Sequence, residues 1–391
     1  MRRVYMDYQA ATPVDERVLK AMEPYLTTSF GNPSSLHSQG QEAREAIEDA
    51  RSKVARLIGA ANPEEVIFTS GGTESNNLAL KGIAARSLAR GNHLVTTTIE
   101  HISIVNISKH LEKQGFRVSR VPVDHYGTVD LEKLQSEINE KTILVSVMYA
   151  NGEIGTIEPI REIGEVCEER GVPFHVDAVA AAGLVPLDVR REKIDLLTLS
   201  SNDMYGPKGV GALYIAEGVR LIPLLHGGGQ ERGLRSGSEN VPGIVGMGAA
   251  AELAQAEMEG EARRLTALRD RLIKGVLETV PSSFLNGHPV HRLPNNANLS
   301  FSYVEGESLI LGLDMEGIAA SSGSACTSKT LEPSHVLTAI GLPHEQAHGS
   351  LLFSLGRGNT EEDVEYVLEV LPGIVKRLRM ISPLTPKGLL A

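Results

Sequence analysis

The sequence is short of several residue types, and each shortage excludes a class of protein. It has no tryptophan and only two cysteines, Cys167 and Cys326, in 391 residues. Two cysteines cannot form the disulfide framework of a small secreted domain, and they fit a reducing compartment. No apolar run approaches the roughly 18 residues of a membrane span, and the N-terminus lacks the apolar region of a signal peptide. We therefore expect a cytoplasmic protein without membrane contact.

Basic residues are also in deficit. Lysine and arginine number 38 against 49 acidic residues, which leaves a formal charge of −11. A direct nucleic-acid-binding surface needs an excess of positive charge, so we expect none. With 41% hydrophobic residues, a chain of this length can bury a large core and divide into two closely associated domains.

Short β-branched runs alternate with helical patterns through the first two thirds of the chain. This alternation is typical of an α/β fold with a mainly parallel, seven-stranded sheet wrapped by helices. A long helix over about residues 245–280 then leads into a smaller α+β domain. We predict a large domain over residues 15–255 and a small domain built from residues 1–14 and 256–391. The runs are EVIFTS, NHLVTTT, RVSRVPV, TILVSVMYA, PFHVDA, DLLTLSS and VGALYI.

A glycine-rich turn lies between the first of these runs and the next helix. Its sequence is SGGTESNN, residues 70–77. Glycines let backbone N–H groups approach an oxyanion, and the helix N-terminus adds positive potential. Gly72 and Thr73 are therefore candidate phosphate ligands, and an ordinary glycine turn with a threonine cap is the alternative.

Two polar residues lie at or shortly after the ends of predicted buried strands. Asp177 ends the run PFHVD, where a carboxylate can pair with a protonated ring nitrogen of a cofactor. His101 follows NHLVTTT in the segment EHIS, where its ring could stack on a cofactor or move a proton. The alternatives are a helix-capping role for Asp177 and a structural role for His101.

The two cysteines have different surroundings. Cys326 stands in SSGSACTS, where serine and glycine predict an exposed loop, and exposure favours thiolate chemistry. Cys167 lies on the apolar side of an amphipathic helix, so we expect it in the core.

These segments, in this order, resemble the NifS/IscS-type cysteine desulfurases, class V of the fold-type I pyridoxal phosphate enzymes. The resemblance covers essentially the whole chain. It implies a fold-type I transferase fold, bound pyridoxal phosphate, an obligate homodimer, and conversion of cysteine to alanine with a persulfide left on the loop cysteine. It also implies that the sulfur passes to a U-type iron–sulfur scaffold protein or a tRNA-thiolating enzyme. The matching segments are VYMDYQAATPVD, SGGTESNN, EHIS, HVDA, GPKGVGALY, GGGQERGLRSG, SSGSACTS and FSLGR.

The resemblance also implies roles for individual residues. Cys326 matches the persulfide cysteine, His101 the stacking histidine and Asp177 the pyridine partner. Thr73 and Ser200 match phosphate ligands. Ser238 falls where the family has a threonine that reaches the phosphate of the other subunit.

The departures from the family pattern cluster at the cofactor and the substrate. Asp203 stands in place of the lysine that forms an imine with the cofactor, and a carboxylate cannot form that bond. Asn202 replaces the neighbouring histidine. Ala180, Gly152 and Leu352 stand where a glutamine, an asparagine and an arginine normally contact the ring hydroxyl and the substrate carboxylate. We therefore expect desulfurase activity to be lost or impaired.

Three readings follow. In the first, the chain presents Cys326 to a U-type scaffold partner, as a ligand of a shared iron–sulfur cluster or as a sulfur carrier, because thiolates are the natural ligands of such clusters. In the second, it is a functional desulfurase that binds pyridoxal phosphate without a covalent bond. In the third, it is a structural relic or a regulatory subunit that pairs with an active paralogue.

Overall fold

The computed structural model describes residues 2–322 and 333–389. Cys326 lies outside these ranges, so its predicted exposure on a loop stays a prediction. Within the described residues, no helix combines the length and the apolar character that crossing a membrane requires.

The described strands alternate with helices as the sequence pattern predicts. The strands are β1 Val4–Tyr5, β2 Val66–Thr69, β3 His93–Thr97, β4 Arg117–Val121, β5 Thr142–Met148, β6 Phe174–Asp177, β7 Leu196–Ser200, β8 Gly211–Ile215, β9 Ser283–Leu285, β10 Asn296–Phe301, β11 Ile318–Ala319 and β12 Ser350–Ser354. The helices are α1 Glu16–Thr27, α2 Ser38–Leu57, α3 Gly72–Arg86, α4 Ile102–Lys113, α5 Leu131–Glu137, α6 Ile160–Arg170, α7 Val241–Thr279, α8 Gly306–Met315, α9 His335–Ala339, α10 His344–His348 and α11 Glu361–Ile381.

Seven strands form one sheet in the order β2-β8-β7-β6-β5-β3-β4. Strand β8 runs antiparallel to both of its neighbours, and the remaining pairs are parallel. This arrangement confirms the predicted mainly parallel, seven-stranded sheet. Strands β5, β6 and β8 are buried at every position, because helices cover both faces of the sheet.

Two apolar clusters lie on the two faces of this sheet, and a third lies beyond it. One sheet face packs against α2 and the first half of α7, and the other packs against α3 and α4. The third cluster joins the second half of α7 to β10, β12 and α11. Cys167 is 1% exposed within the first cluster, which confirms the prediction of a core residue.

The N-terminal segment joins these parts of the molecule. Strand β1 pairs with β11, and Asp7 bridges to Ser354 at the end of β12. Five residues later, the Thr12 hydroxyl donates to the carbonyl of Asn202, which follows β7. Residues 7–12 therefore run across the carboxyl end of the seven-stranded sheet, where the candidate site lies.

Candidate cofactor and substrate site

The start of α3 lies against the ends of the central strands. Gly71 has φ +147°, a conformation that favours glycine. A Cβ on Gly72 would come 2.7 Å from Val179 Cγ2 and 3.9 Å from Ser200 Cβ. The structure thus brings Gly72 and Ser200 together at the helix N-terminus, and Thr73 is exposed in the first turn. Free N–H groups and positive potential at this point suit an oxyanion.

Asp177 is 5% exposed at the end of β6. One carboxylate oxygen accepts from Asn76 Nδ2 at 2.7 Å, and the other accepts from the Val179 backbone N–H at 3.1 Å. Asn76 Nδ2 also donates to Ser103 Oγ at 2.9 Å. A buried amide therefore holds the carboxylate in one orientation, at the strand end where an incoming cation or N–H could meet it.

His101 is connected to the same group of side chains. Its Nδ1 accepts from the Ser103 backbone N–H at 3.2 Å and lies 2.7 Å from Ser103 Oγ. A ring nitrogen that accepts carries no proton, so the neutral ring has its proton on Nε2. Asp177, Asn76, Ser103 and His101 thus form one continuous hydrogen-bonded chain, which orients the ring and leaves Nε2 available.

His101 lines a cavity of about 200 Å³. Gln9, Gly152 and Leu352 also line it, together with the buried carboxyl groups of Glu100 and Glu153. Burial raises the pKa of Glu100 to about 8, and the negative charge of Asp177 acts in the same direction. Burial raises the pKa of Glu153 to about 7. Near neutral pH this wall therefore carries less negative charge than its composition suggests.

The chain that resumes after residue 332 is attached to the same wall. Ser334 Oγ donates to Glu153 at 2.8 Å, and His335 Nε2 lies 3.0 Å from the carbonyl oxygen of Glu100. On the other side, Ser321 pairs with Leu352 across a β-bridge. Both ends of the segment that contains Cys326 are therefore fixed at the cavity.

Asp203 lines a second, smaller cavity of about 20 Å³, together with Gln9 and Ala180. Burial raises the pKa of Asp203 to about 6, hydrogen bonding from Ser200 opposes this shift, and the charge of Asp177 adds to it. Asp203 therefore lies within electrostatic range of the Asp177 carboxylate. Near neutral pH, a small drop in pH is enough to neutralise part of its charge.

Lys208 is the nearest lysine in the sequence to Asp203. Its side chain is exposed, and Nζ donates to the carbonyl oxygen of Thr12 at 3.1 Å. Neither cavity is lined by Lys208. The amine is thus engaged by a backbone carbonyl and lines neither cavity.

The remaining sequence-predicted residues lie apart. Ser238 is exposed just before α7. Three residues earlier, Arg235 forms a 3.0 Å ion pair with Glu74 in the first turn of α3. The glycine-rich segment therefore passes close to the start of α3, although no described contact ties Ser238 itself to the site.

The sequence motifs did not single out three residues that the structure places at the site. Asn76 lies within the quoted motif SGGTESNN, but only the fold shows that it joins Asp177 to Ser103. Glu100 adjoins His101 in sequence, and nothing in the sequence showed that it would be buried. Gln9 lies about 150 residues before the cavity walls that it contacts, so no local signal could have placed it.

Comparisons with known proteins agree with this geometry. A family described as Aminotransferase class-V matches residues 4–367. Cysteine desulfurase IscS 1 of Archaeoglobus fulgidus is 60% identical over 380 residues, which cover 97% of this chain and 99% of that protein. Cysteine desulfurase IscS of Methanosarcina thermophila is 56% identical over 386 residues, which cover 99% of this chain and 95% of that protein.

The solved structure of a NifS-like protein has a TM-score of 0.91 at 40% identity and covers 96% of this chain and 100% of that chain. This likeness confirms the fold-type I architecture. The family of this chain follows from the matched span, from the identity to proteins of nearly equal length, and from the shared fold. The chain belongs to the class-V aminotransferase family, among proteins similar to the IscS cysteine desulfurases.

Proposed function

We propose that this chain is a cysteine desulfurase that uses pyridoxal phosphate held without a covalent bond. The observation that carries the proposal is the hydrogen-bonded chain from Asp177 to His101 beside two cavities that no lysine within residues 2–322 and 333–389 lines. The relatives named cysteine desulfurase support an active enzyme. They do not support the expectation that activity is lost, and they favour the functional reading.

The described residues fit most of this cofactor. Asp177 is a buried carboxylate that can face the pyridine nitrogen, and Asn76 already fixes its orientation. The start of α3 and Ser200 offer N–H and hydroxyl donors to the phosphate. Among the described residues, the remaining part of the site offers no amine, and we take Asp203 to occupy the lysine position of the family. The cofactor would therefore bind reversibly, and added pyridoxal phosphate would be needed for full loading.

Bound pyridoxal phosphate supplies an electron sink that weakens the bonds around the α-carbon of an amino acid. The protein's own contribution is to orient and to move protons. His101 Nε2 is the candidate proton donor, because Nδ1 is held as an acceptor by Ser103. The partly neutral carboxyl groups of Glu100 and Glu153 make the cavity tolerant of an anionic substrate.

We propose that the Cys326 thiol accepts the sulfur of the substrate. Cysteine and the Cys326 thiol would give alanine and a Cys326 persulfide, in which one C–S bond breaks and one S–S bond forms, so atoms and electrons balance. The fixed positions of Ser321 and Ser334 support this role, because they hold both ends of the segment at the cavity. A U-type scaffold protein or a tRNA-thiolating enzyme would then take the sulfur.

We also propose that the chain forms a homodimer. Leu26, Phe30 and Leu36 are 58%, 70% and 87% exposed in and after α1. Large apolar side chains grouped in this way support a subunit interface.

A second candidate function is a scaffold protein that ligates an iron–sulfur cluster through Cys326 and no longer turns over cysteine. Two observations favour it. Asp203 adds negative charge where an aldehyde and a phosphate would approach, and the apolar Leu352 lines the cavity where a substrate carboxylate would need a cation.

The discriminating experiment measures alanine release from cysteine by the full chain with saturating pyridoxal phosphate. We expect steady alanine release that requires the added cofactor. Cys326→Ala should abolish it, whereas Cys167→Ala should not, because burial raises the pKa of the Cys167 thiol to about 12 and keeps it unreactive. Absence of alanine at saturating cofactor would contradict the proposal. Iron that co-purifies with the chain and a scaffold partner, and is lost in Cys326→Ala, would then establish the second candidate.

A further inference from the structure

Gln9 is the one described residue that lines both cavities of the site. It is present in the wall of the larger cavity with His101 and Gly152, and in the wall of the smaller one with Asp203. Its backbone N–H donates to Ser354 Oγ at 2.8 Å. The N-terminal segment thus carries this side chain to the junction of the two cavities and fixes its backbone there.

The Gln9 side chain occupies space that small residues leave free. A Cβ on Gly152 would meet Gln9 Nε2 at 2.8 Å and Gln9 Cδ at 3.0 Å. The Ala180 Cβ would lie 3.5 Å from the same point. Larger side chains at positions 152 or 180 would therefore compete with Gln9 for one volume, since protein interiors have no spare room. Glycine and alanine at these positions are the condition for the observed placement of Gln9.

The amide of Gln9 has no hydrogen-bond partner of its own within residues 2–322 and 333–389; only its backbone N–H is engaged. Holding a glutamine side chain in one place loses rotamer entropy, and an amide without partners gains nothing in return. An amide kept at a cavity junction in this state is suited to bind a ligand. It presents two N–H donors and one acceptor.

We propose that Gln9 is a cofactor-binding residue whose side-chain NH₂ donates to the phenolic oxygen of the pyridoxal phosphate ring. This inference rests on the proposed function. The phosphate has its donors at α3 and Ser200, and the ring nitrogen has Asp177, so the phenolic oxygen and the adjacent aldehyde oxygen are the acceptors left without a partner. The comparison with 3-deoxypyridoxal phosphate separates these two acceptors. The Gln9 side chain lies near Ala180, and Ala180 follows Asp177 by three residues in the chain. Gln9 also lines the cavity that contains His101.

The test is a titration of the full chain with pyridoxal phosphate, followed by its absorbance and by protein fluorescence. Gln9→Ala should weaken binding about 10-fold, the loss expected when a charge-assisted hydrogen bond is removed. With 3-deoxypyridoxal phosphate, which lacks the ring hydroxyl, the same substitution should change affinity less than about 2-fold. Gln114→Ala, an exposed glutamine at the end of α4, is the matched control and should leave both affinities unchanged.

A double-substitution cycle isolates the role of Gln9. Gly152→Ala should weaken binding when Gln9 is present, because the new methyl group displaces the amide, and should have no further effect in Gln9→Ala. If Gly152→Ala weakens cofactor binding equally with Gln9 and with Gln9→Ala, the inference is overturned. It is also overturned if Gln9→Ala lowers the Tm but leaves the affinity unchanged, because that is the signature of a purely structural residue. Failure of the unmodified chain to bind pyridoxal phosphate would contradict the proposed function and the inference together.

Discussion

The two ends of the candidate site differ in whether their polar side chains form one continuous hydrogen-bonded chain. At the ring-nitrogen end, Asp177, Asn76, Ser103 and His101 are joined by contacts of 2.7, 2.9 and 2.7 Å. At the Asp203 end no such chain is present among the described residues, and Ser201 Oγ and Asn202 Oδ1 are buried without a partner there, as Asn76 Oδ1 is at the first end. The first end has a fixed carboxylate and a fixed histidine ring, whereas the cavity at the second end is lined by Asp203 and by no lysine of the described residues. Under the proposed function, this difference separates recognition of the cofactor from its covalent attachment.

Removing the charge at the Asp177 end should have the largest effect. Asp177→Asn keeps the shape of the side chain but loses the ion pair to the ring nitrogen, so the affinity for pyridoxal phosphate should fall about 100-fold. Absorbance titration measures this. A fall smaller than about 3-fold would mean that the carboxylate does not face the ring.

Cutting the hydrogen-bonded chain should have the next largest effect. Asn76→Ala removes the side-chain donor of the buried Asp177 carboxylate and leaves only the Val179 N–H, which should lower the free energy of unfolding by about 1–3 kcal/mol. The rate of alanine release should fall about 10-fold, since Asp177 and His101 would lose their common orientation. Asn77→Ala is the control, because the Asn77 amide only donates to the Thr73 carbonyl of its own helix. Equal losses in the two variants would show that α3 is merely destabilised.

At the Asp203 end, Asp203→Asn should change how the folding stability depends on pH. The folded-state pKa of about 6 lies above the ordinary value of 3.8, so the folded state holds the proton more tightly and loses stability as pH rises from about 4 to about 6. At pH 8 the variant should therefore be more stable by about 1–3 kcal/mol, and the gap should shrink towards pH 4 in urea unfolding.

The same substitution should affect cofactor binding. The side chains that act on Asp203 are Ser200, Asn202 and Asp177. The ionised Asp203 would repel an incoming phosphate. Affinity for pyridoxal phosphate should therefore rise more between pH 8 and pH 6 in the unmodified chain than in Asp203→Asn. If the affinity changes equally with pH in the two proteins, the Asp203 carboxylate does not affect cofactor binding.

Lys208 should have the smallest effect. Its exposed amine is bonded to the Thr12 carbonyl, so Lys208→Ala should change cofactor affinity less than about 2-fold. Borohydride reduction of the loaded protein, followed by mass spectrometry, should find no cofactor bound to Lys208. A covalent adduct there would mean that the missing amine is replaced from outside the site.

Local sequence patterns were sufficient for the elements of the large sheet. The alternation of β-branched runs with helical periods predicted the seven strands, and PFHVD placed Asp177 at a strand end, because strand burial and turn chemistry are short-range properties. The end of α2 is local in the same way, because Gly59, two residues after Leu57, has φ +67° and stops the helix by its own geometry.

The sequence by itself determined the fold class, the family pattern and the presence of Asp203 in the segment that follows β7. Only the tertiary structure decided which side chains meet. Asn76 joins Asp177 to Ser103 across 101 and 27 residues of sequence, and Gln9 meets Gly152, which lies 143 residues later in the chain (152 − 9). Such contacts depend on the packing of distant segments and on the small volumes of Gly152 and Ala180. No local pattern encodes them, because the free energy that selects them comes from burial in the assembled core.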